Sequence, residues 1–222
     1  MLQGDRYAVD ITLEKNALAH VTTQGATRIY GMNASNAIQT VNVSLDDGAY
    51  LEFIPDQIIP YKDSKFYQEI NFQVHDNATM IYSEVISPGR VGMGEVFGYD
   101  ICSLKSTGKN QDGKLRFTDH ARIEPRKMNL QDFGLLGKRQ VVATAYILAG
   151  TENTERITRM LEDGIRNSPE IEVGWSTMTK ENGILLRALG DTTRDVFRLV
   201  YDATKIVRKT VLNSDFHEIR KT

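Results

Sequence analysis

From Tyr7 to Leu148 the chain is a succession of short runs in which apolar and polar residues alternate, each soon broken by turn residues. A period of two is the mark of a strand with one buried face, and runs this short leave no room for long helices. Such runs occupy residues 7–13, 17–23 and 27–32, the last two parted at Gln24-Gly25. Residues 37–45 end at Asp46-Asp47-Gly48, a hairpin cue, and residues 49–54 resume at once. Residues 66–74 and 78–85 are separated by His75-Asp76-Asn77, again turn chemistry. Residues 115–123 and 140–148 follow, and Val141 to Leu148 is apolar enough to be central in a sheet. Residues 106–114 are polar, contain Gly108 and Gly113, and read as an exposed hairpin loop. The cadence predicts a sandwich or a β-solenoid-like stack. No exact repeat is visible, so the solenoid has less support.

The most polar bend lies at residues 82–100. It sets Glu84, Glu95, Asp100 and Arg90 around Pro88, Gly89, Gly92, Gly94 and Gly98. Strands are expected on both flanks, at residues 80–86 and 95–104, joined by a glycine-rich connection.

After Gly150 the period changes. Ile157, Met160, Leu161 and Ile165 fall at helical spacing over residues 155–167, and Pro169 closes that helix. Residues 171–178 and 183–189 read as a strand pair across a turn at 180–183. Thr192 and Asp195 then form a near capping box for a second helix. Val196, Leu199, Val200, Ala203 and Val207 give that helix one buried stripe. The expected fold is mainly β: a β-rich body over residues 1–150 and a small α+β layer of the same domain, with two helices, over 151–222.

Composition narrows the function. A net charge of −2 and a pI near 6.1 argue against a nucleic-acid surface. No apolar run approaches the roughly 18 residues of a membrane helix, and the first residues lack a signal-peptide core. The single cysteine, Cys102, excludes an internal disulfide framework, so a cytoplasmic location is expected. Cys102 reads as a core residue rather than a nucleophile. There is no phosphate loop and no dinucleotide fingerprint, and Gly92-Met-Gly94 has too few glycines and no following helix. His20, His75, His120 and His217 are scattered, so no metal cage is indicated, and Ser35, Ser64 and Ser83 lack a nucleophile elbow.

Carboxylates remain. Glu52, Glu84, Glu95, Asp100 and Asp119 lie in or beside strands. Two could serve as a glycosidase acid and base, although a single Trp, Trp175, offers little sugar platform. They could equally be solvent-facing, or buried partners of Arg90 and Arg122. A polar, acidic interior could also pass a hydrated divalent cation, for which carboxylate and water are suitable ligands. The last helix and residues 128–136 are each candidates for partner surface, with core packing as the commoner role.

Several stretches, in order along the chain, resemble the urease accessory protein UreD (UreH) family. They are Gly4-Asp5, residues 22–30, residues 48–56, Gly89-Arg90 with Gly94-Glu95-Val96-Phe97, and Leu186-Arg187-Ala188-Leu189-Gly190 before the last helix. The resemblance implies stacked strands with two helices. It also implies a non-catalytic scaffold and metallochaperone that binds UreF, reaches UreG through UreF, and docks on apo-urease to deliver nickel. Nickel would be held only transiently on a water-filled internal path, with no stable cofactor and no nucleic-acid or membrane partner. By motif position, Asp5, Glu52, Glu84 and Asp119 are the residues implied for that path. Arg90 and Glu95 are implied to hold the bend, and Thr22, Gln24 and Arg28 are further motif candidates. Family members usually carry a few dozen more residues before the Gly-Asp segment, including a strand, so an unpaired edge is expected here. Thr204 stands where the family often has Trp, with Arg208 four residues on, and Glu84 replaces a shorter acidic side chain.

Overall fold

In a computed structural model, which describes residues 1–179 and 183–219, the alternating strands do not pair with their sequence neighbours as hairpins. Instead β1 (Arg6–Leu13), β4 (Ala37–Leu45), β7 (Lys65–Val74) and β9 (Ile101–Lys109) lie side by side in parallel. Antiparallel β10 (Leu115–Ile123) completes this first sheet. Between them the chain crosses to a second sheet, where β2 (Leu18–Val21), β5 (Tyr50–Phe53) and β8 (Thr79–Ile86) also stack in parallel. Short β3 (Thr27–Ile29) and β6 (Ile58–Pro60) pair beside β8. This is a β-solenoid, the less supported of the two expectations. Sandwich and solenoid share one alternation, and only the register, Arg6 with Ile38 and Ala37 with Phe66, tells them apart.

The turn signals are real but mark corners. Asp46-Asp47-Gly48 joins β4 to β5 in different sheets, which corrects the hairpin expectation. The corners bond to one another up the stack. The Asn16 N–H donates to the Asp47 carbonyl (3.0 Å), and Asn77 Nδ2 donates to Asp47 Oδ1 (3.0 Å).

Three more boundaries differ. Residues 95–100 are not strand: β8 is followed by a loop with a 3-10 turn at Val91–Met93, and β9 starts only at Ile101. Gly89 has φ +134°, and a Cβ there would lie 2.8 Å from the Glu95 carbonyl oxygen, so the loop doubles back where a strand was expected. The hairpin after β9 spans only Asn110 to Lys114, while Ser106 is inside the strand and buried. The first helix, α1 (Thr151–Gly164), starts and stops earlier than its apolar spacing suggested, with Gly150 extended as its N-cap. The turn expected at 180–183 lies, apart from Gly183, outside the described residues.

Beyond β8 the second sheet continues with antiparallel β11 (Val141–Leu148), β13 (Gly183–Gly190) and β12 (Ile171–Thr177). The last helix, α2 (Thr193–Leu212), starts at Thr192, whose Oγ1 accepts the Asp195 N–H as the near capping box implies. The second sheet is covered on both faces. One meets the first sheet through Leu51, Phe53, Met80, Tyr82 and Leu148 against Val41, Val43, Ile70 and Phe72. The other packs on Ile157 and Leu161 of α1 and on Val196, Leu199, Val200, Ala203 and Val207 of α2. Burial on both faces is why every residue of β8 is buried and why the end of β11 reads as a continuous apolar run. No described helix is long and apolar enough to cross a membrane.

Candidate functional site

Strand parity decides which polar groups enter the space between the sheets. Cys102 and Leu104 point inward on β9, so Ser106 does too, and it pairs in register with Asp119 on β10. On β8, Met80 and Tyr82 point inward, and Glu84 follows them. Oε1 of Glu84 accepts from Gln68 Nε2 (2.8 Å), the Tyr82 hydroxyl (3.0 Å) and Ser106 Oγ (3.3 Å). Among the described residues its Oε2 accepts no hydrogen bond. Burial pushes this carboxyl up to about 7, and the charge of Asp119 adds to the rise against the three donors.

Asp119 sits nearer the surface, its side chain 20% exposed. Oδ2 accepts the Tyr146 hydroxyl (2.9 Å), and Nη2 of Arg187 donates to both oxygens at 2.7 Å. Burial alone would raise its pKa, but the bonds from Arg187 and Tyr146 outweigh it and keep Asp119 ionised. The rings of Tyr82 and Tyr146 stack at 6.0 Å. Burial raises the pKa of both phenols, so they act as neutral donors. A string of oxygen groups thus runs from a half-exposed ion pair to a carboxyl held between neutral and charged. Such groups can hold and release a hydrated divalent cation. Among the described residues, no three His, Cys, Asp or Glu converge as a resident metal cage.

The other sequence candidates lie elsewhere. Glu52 faces α2 across the second sheet, fully buried. It bonds His20 Nδ1 (2.7 Å), the Tyr50 hydroxyl (2.7 Å) and both Nε (2.7 Å) and Nη2 of Arg208. Burial opposes its charge, yet these donors hold its pKa below the usual carboxylate range. Asp5 accepts the Leu2 N–H (2.7 Å) in the turn before β1. Thr22 Oγ1 donates to the Ile54 carbonyl (2.6 Å), Gln24 is exposed after β2, and Arg28 is exposed on β3. Arg90 and Glu95 form an ion pair across the glycine-rich loop, with the guanidinium 4.3 Å above the Tyr61 ring and Glu95 accepting the Lys62 N–H. Among the described residues, neither Arg90 nor Arg122 bonds Glu52, Glu84 or Asp119; Arg122 holds Glu124 (2.9 Å). Cys102 is fully buried and its thiol is pushed up to about 12, which leaves it inert.

The profile of the family described as UreD urease accessory protein matches residues 1–221. The chain belongs to the UreD family. It is 42% identical over 221 residues to the urease accessory protein UreD of Cenarchaeum symbiosum, covering all of this chain and 78% of that one. It is 36% identical to UreD 2 of Brucella canis, over 98% of this chain and 73% of the relative. The UreD protein of Yersinia pseudotuberculosis is 34% identical over 96% of this chain and 67% of its own length.

For this UreD-family chain, residue-by-residue reasoning missed Gln68, Ser106, Tyr146 and Arg187. Parity along β9 was the one signal that could have placed Ser106. Gly108 marks how tightly the string is backed. A Cβ there would lie 2.3 Å from Cε1 of Phe117, whose ring stacks on Tyr146 at 4.9 Å. Gly108→Ala is expected to cost about 1–3 kcal/mol through overpacking. A urea titration checks this, and an unchanged midpoint would show that Phe117 moves aside freely.

Proposed function

We propose that the protein serves urease maturation as a non-catalytic scaffold and metallochaperone, with nickel as cargo passed along the Asp119–Glu84 string. The cargo is held transiently, and the site works in the cytoplasm within an assembly of UreF, of UreG recruited through UreF, and of apo-urease. Family membership supports the urease role. The observation that carries the transfer reading is the polar string between the sheets, with Glu84, Gln68, Tyr82 and Ser106 buried where ordinary packing would put apolar groups. A glycoside hydrolase would need two carboxyls facing an open cleft, and Glu84 is enclosed.

The test is co-expression with urease and its accessory proteins, comparing the parent with Glu84→Gln plus Asp119→Asn. The expected result is an intact complex with urease activation reduced roughly tenfold or more, the scale of losing metal-orienting groups. If assembly and activation both survive, the carboxylates are structural and the protein is a passive scaffold. That second reading draws on residues 128–136, where Phe133 is fully exposed, Met128 and Leu135 are also exposed, and only Leu130 is buried.

A further inference from the structure

We propose that Arg187 is a latch on the outer end of the interior path: while it holds Asp119, a divalent cation finds no free carboxylate there, and its withdrawal opens the way to Glu84. The inference rests on the nickel-transfer reading above and adds the condition under which cargo is admitted.

Arg187 lies on β13, beside Thr144 of β11 in register, and its side chain is 55% exposed. Asp119 is the more enclosed partner. One guanidinium nitrogen donates to both carboxylate oxygens at 2.7 Å, and Tyr146 donates to Oδ2 from the interior side. The outward lone pairs of Asp119 are therefore occupied by a positive group. A divalent cation needs those lone pairs and is repelled by the charge that holds them. A cation that takes both oxygens of Asp119 has to displace the guanidinium.

The pair is also suited to opening. A half-exposed ion pair adds little to stability, and the long arginine stem has many rotamers in water, so withdrawal leaves the fold intact. Behind Asp119 the next anionic group is Glu84, whose Oε2 has no hydrogen-bond donor among the described residues. A cation that passes the latch meets an oxygen that nothing else holds.

The experiment is calorimetric titration of nickel ion into the full chain at pH 7.5, with folding checked by circular dichroism. Arg187→Gln is expected to bind nickel at least about tenfold more tightly than the parent, with Arg187→Lys in between, and Asp119→Asn added to Arg187→Gln should remove the gain. Equal affinities for the folded parent and Arg187→Gln would overturn the latch alone, because Asp119→Asn in the parent background reports on the path separately. A gain that survives Asp119→Asn overturns both, since the cation then binds elsewhere. Should Arg187→Gln not fold, Arg187→Lys decides, and an unchanged affinity in it overturns the latch.

Discussion

Glu52→Ala is expected to lower stability by about 3–5 kcal/mol, among the largest effects of any single change in this chain. The carboxylate is fully buried and meets four donor atoms on three residues, two of them on Arg208. Removing it leaves the Arg208 guanidinium, 19% exposed and 5.1 Å above the Phe216 ring, without its counter-charge. His20 and Tyr50 lose their acceptor at the same time. For a chain of this length the loss corresponds to a melting temperature lower by roughly 10 °C. Thermal melts of parent and variant give the answer directly. If Glu52 were a transfer residue and not a lock, Glu52→Gln would reduce urease activation at unchanged melting temperature, and that outcome would sink this assignment.

Glu84→Gln is expected to act in the opposite direction, raising stability above neutral pH. The carboxyl titrates at about 7 in the folded chain, against 4.5 ordinarily, because burial disfavours its charge. An acid whose folded pKa is raised contributes its stability fully below 4.5 and loses it as pH climbs to 7. The difference amounts to roughly 3 kcal/mol by pH 8, and the glutamine variant lacks this dependence. The Gln side chain keeps an acceptor for Gln68, Tyr82 and Ser106. Urea midpoints for the two proteins should coincide near pH 4.5 and diverge by pH 8, with the variant the more stable. Parallel profiles across that range would mean that water or a counter-ion solvates the carboxylate in place. On the transfer reading proposed above, a group that is uncharged in acid and charged above 7 would also tie cation binding to proton release.

Most strands of the body and the two helices were legible because each rests on local periodicity, whereas β9 was placed too early and β6 was not expected. The buried stripe of α2 and its Thr192 cap followed from spacing alone, as did β4 and β10. The solenoid was not, because Asp46-Asp47-Gly48 satisfies the same chemistry whether the chain reverses within one sheet or turns a corner into another. What decides is partnership between coils, and coils of unequal length leave no repeat to count. The site divided in the same way. Glu84 and Asp119 were singled out through family resemblance and strand position, and Ser106, which is in register with Asp119, donates to Glu84. Glu52 was grouped with them, yet period two puts it on the other face of its sheet, toward a helix whose Arg208 is far off in sequence. Tyr146, and Arg187 within its motif, were given no role, because a tyrosine or arginine inside a strand is unremarkable until the packing of β11 and β13 over Asp119 of the facing sheet is known.

A stack of coils ordinarily frays from its outer rung, since each coil touches only its neighbours. Here β1 and β2 form the outer edges of the two sheets, the place where fraying would begin. Arg208 reaches back from the last helix to Glu52 of the second coil, and Glu52 in turn holds His20 of the first. The first coil, the second coil and the last helix are thereby fastened together through one carboxylate. The first rung cannot peel away while the final helix stays docked, so a partner that grips α2 also sets how firmly the opening coil is held.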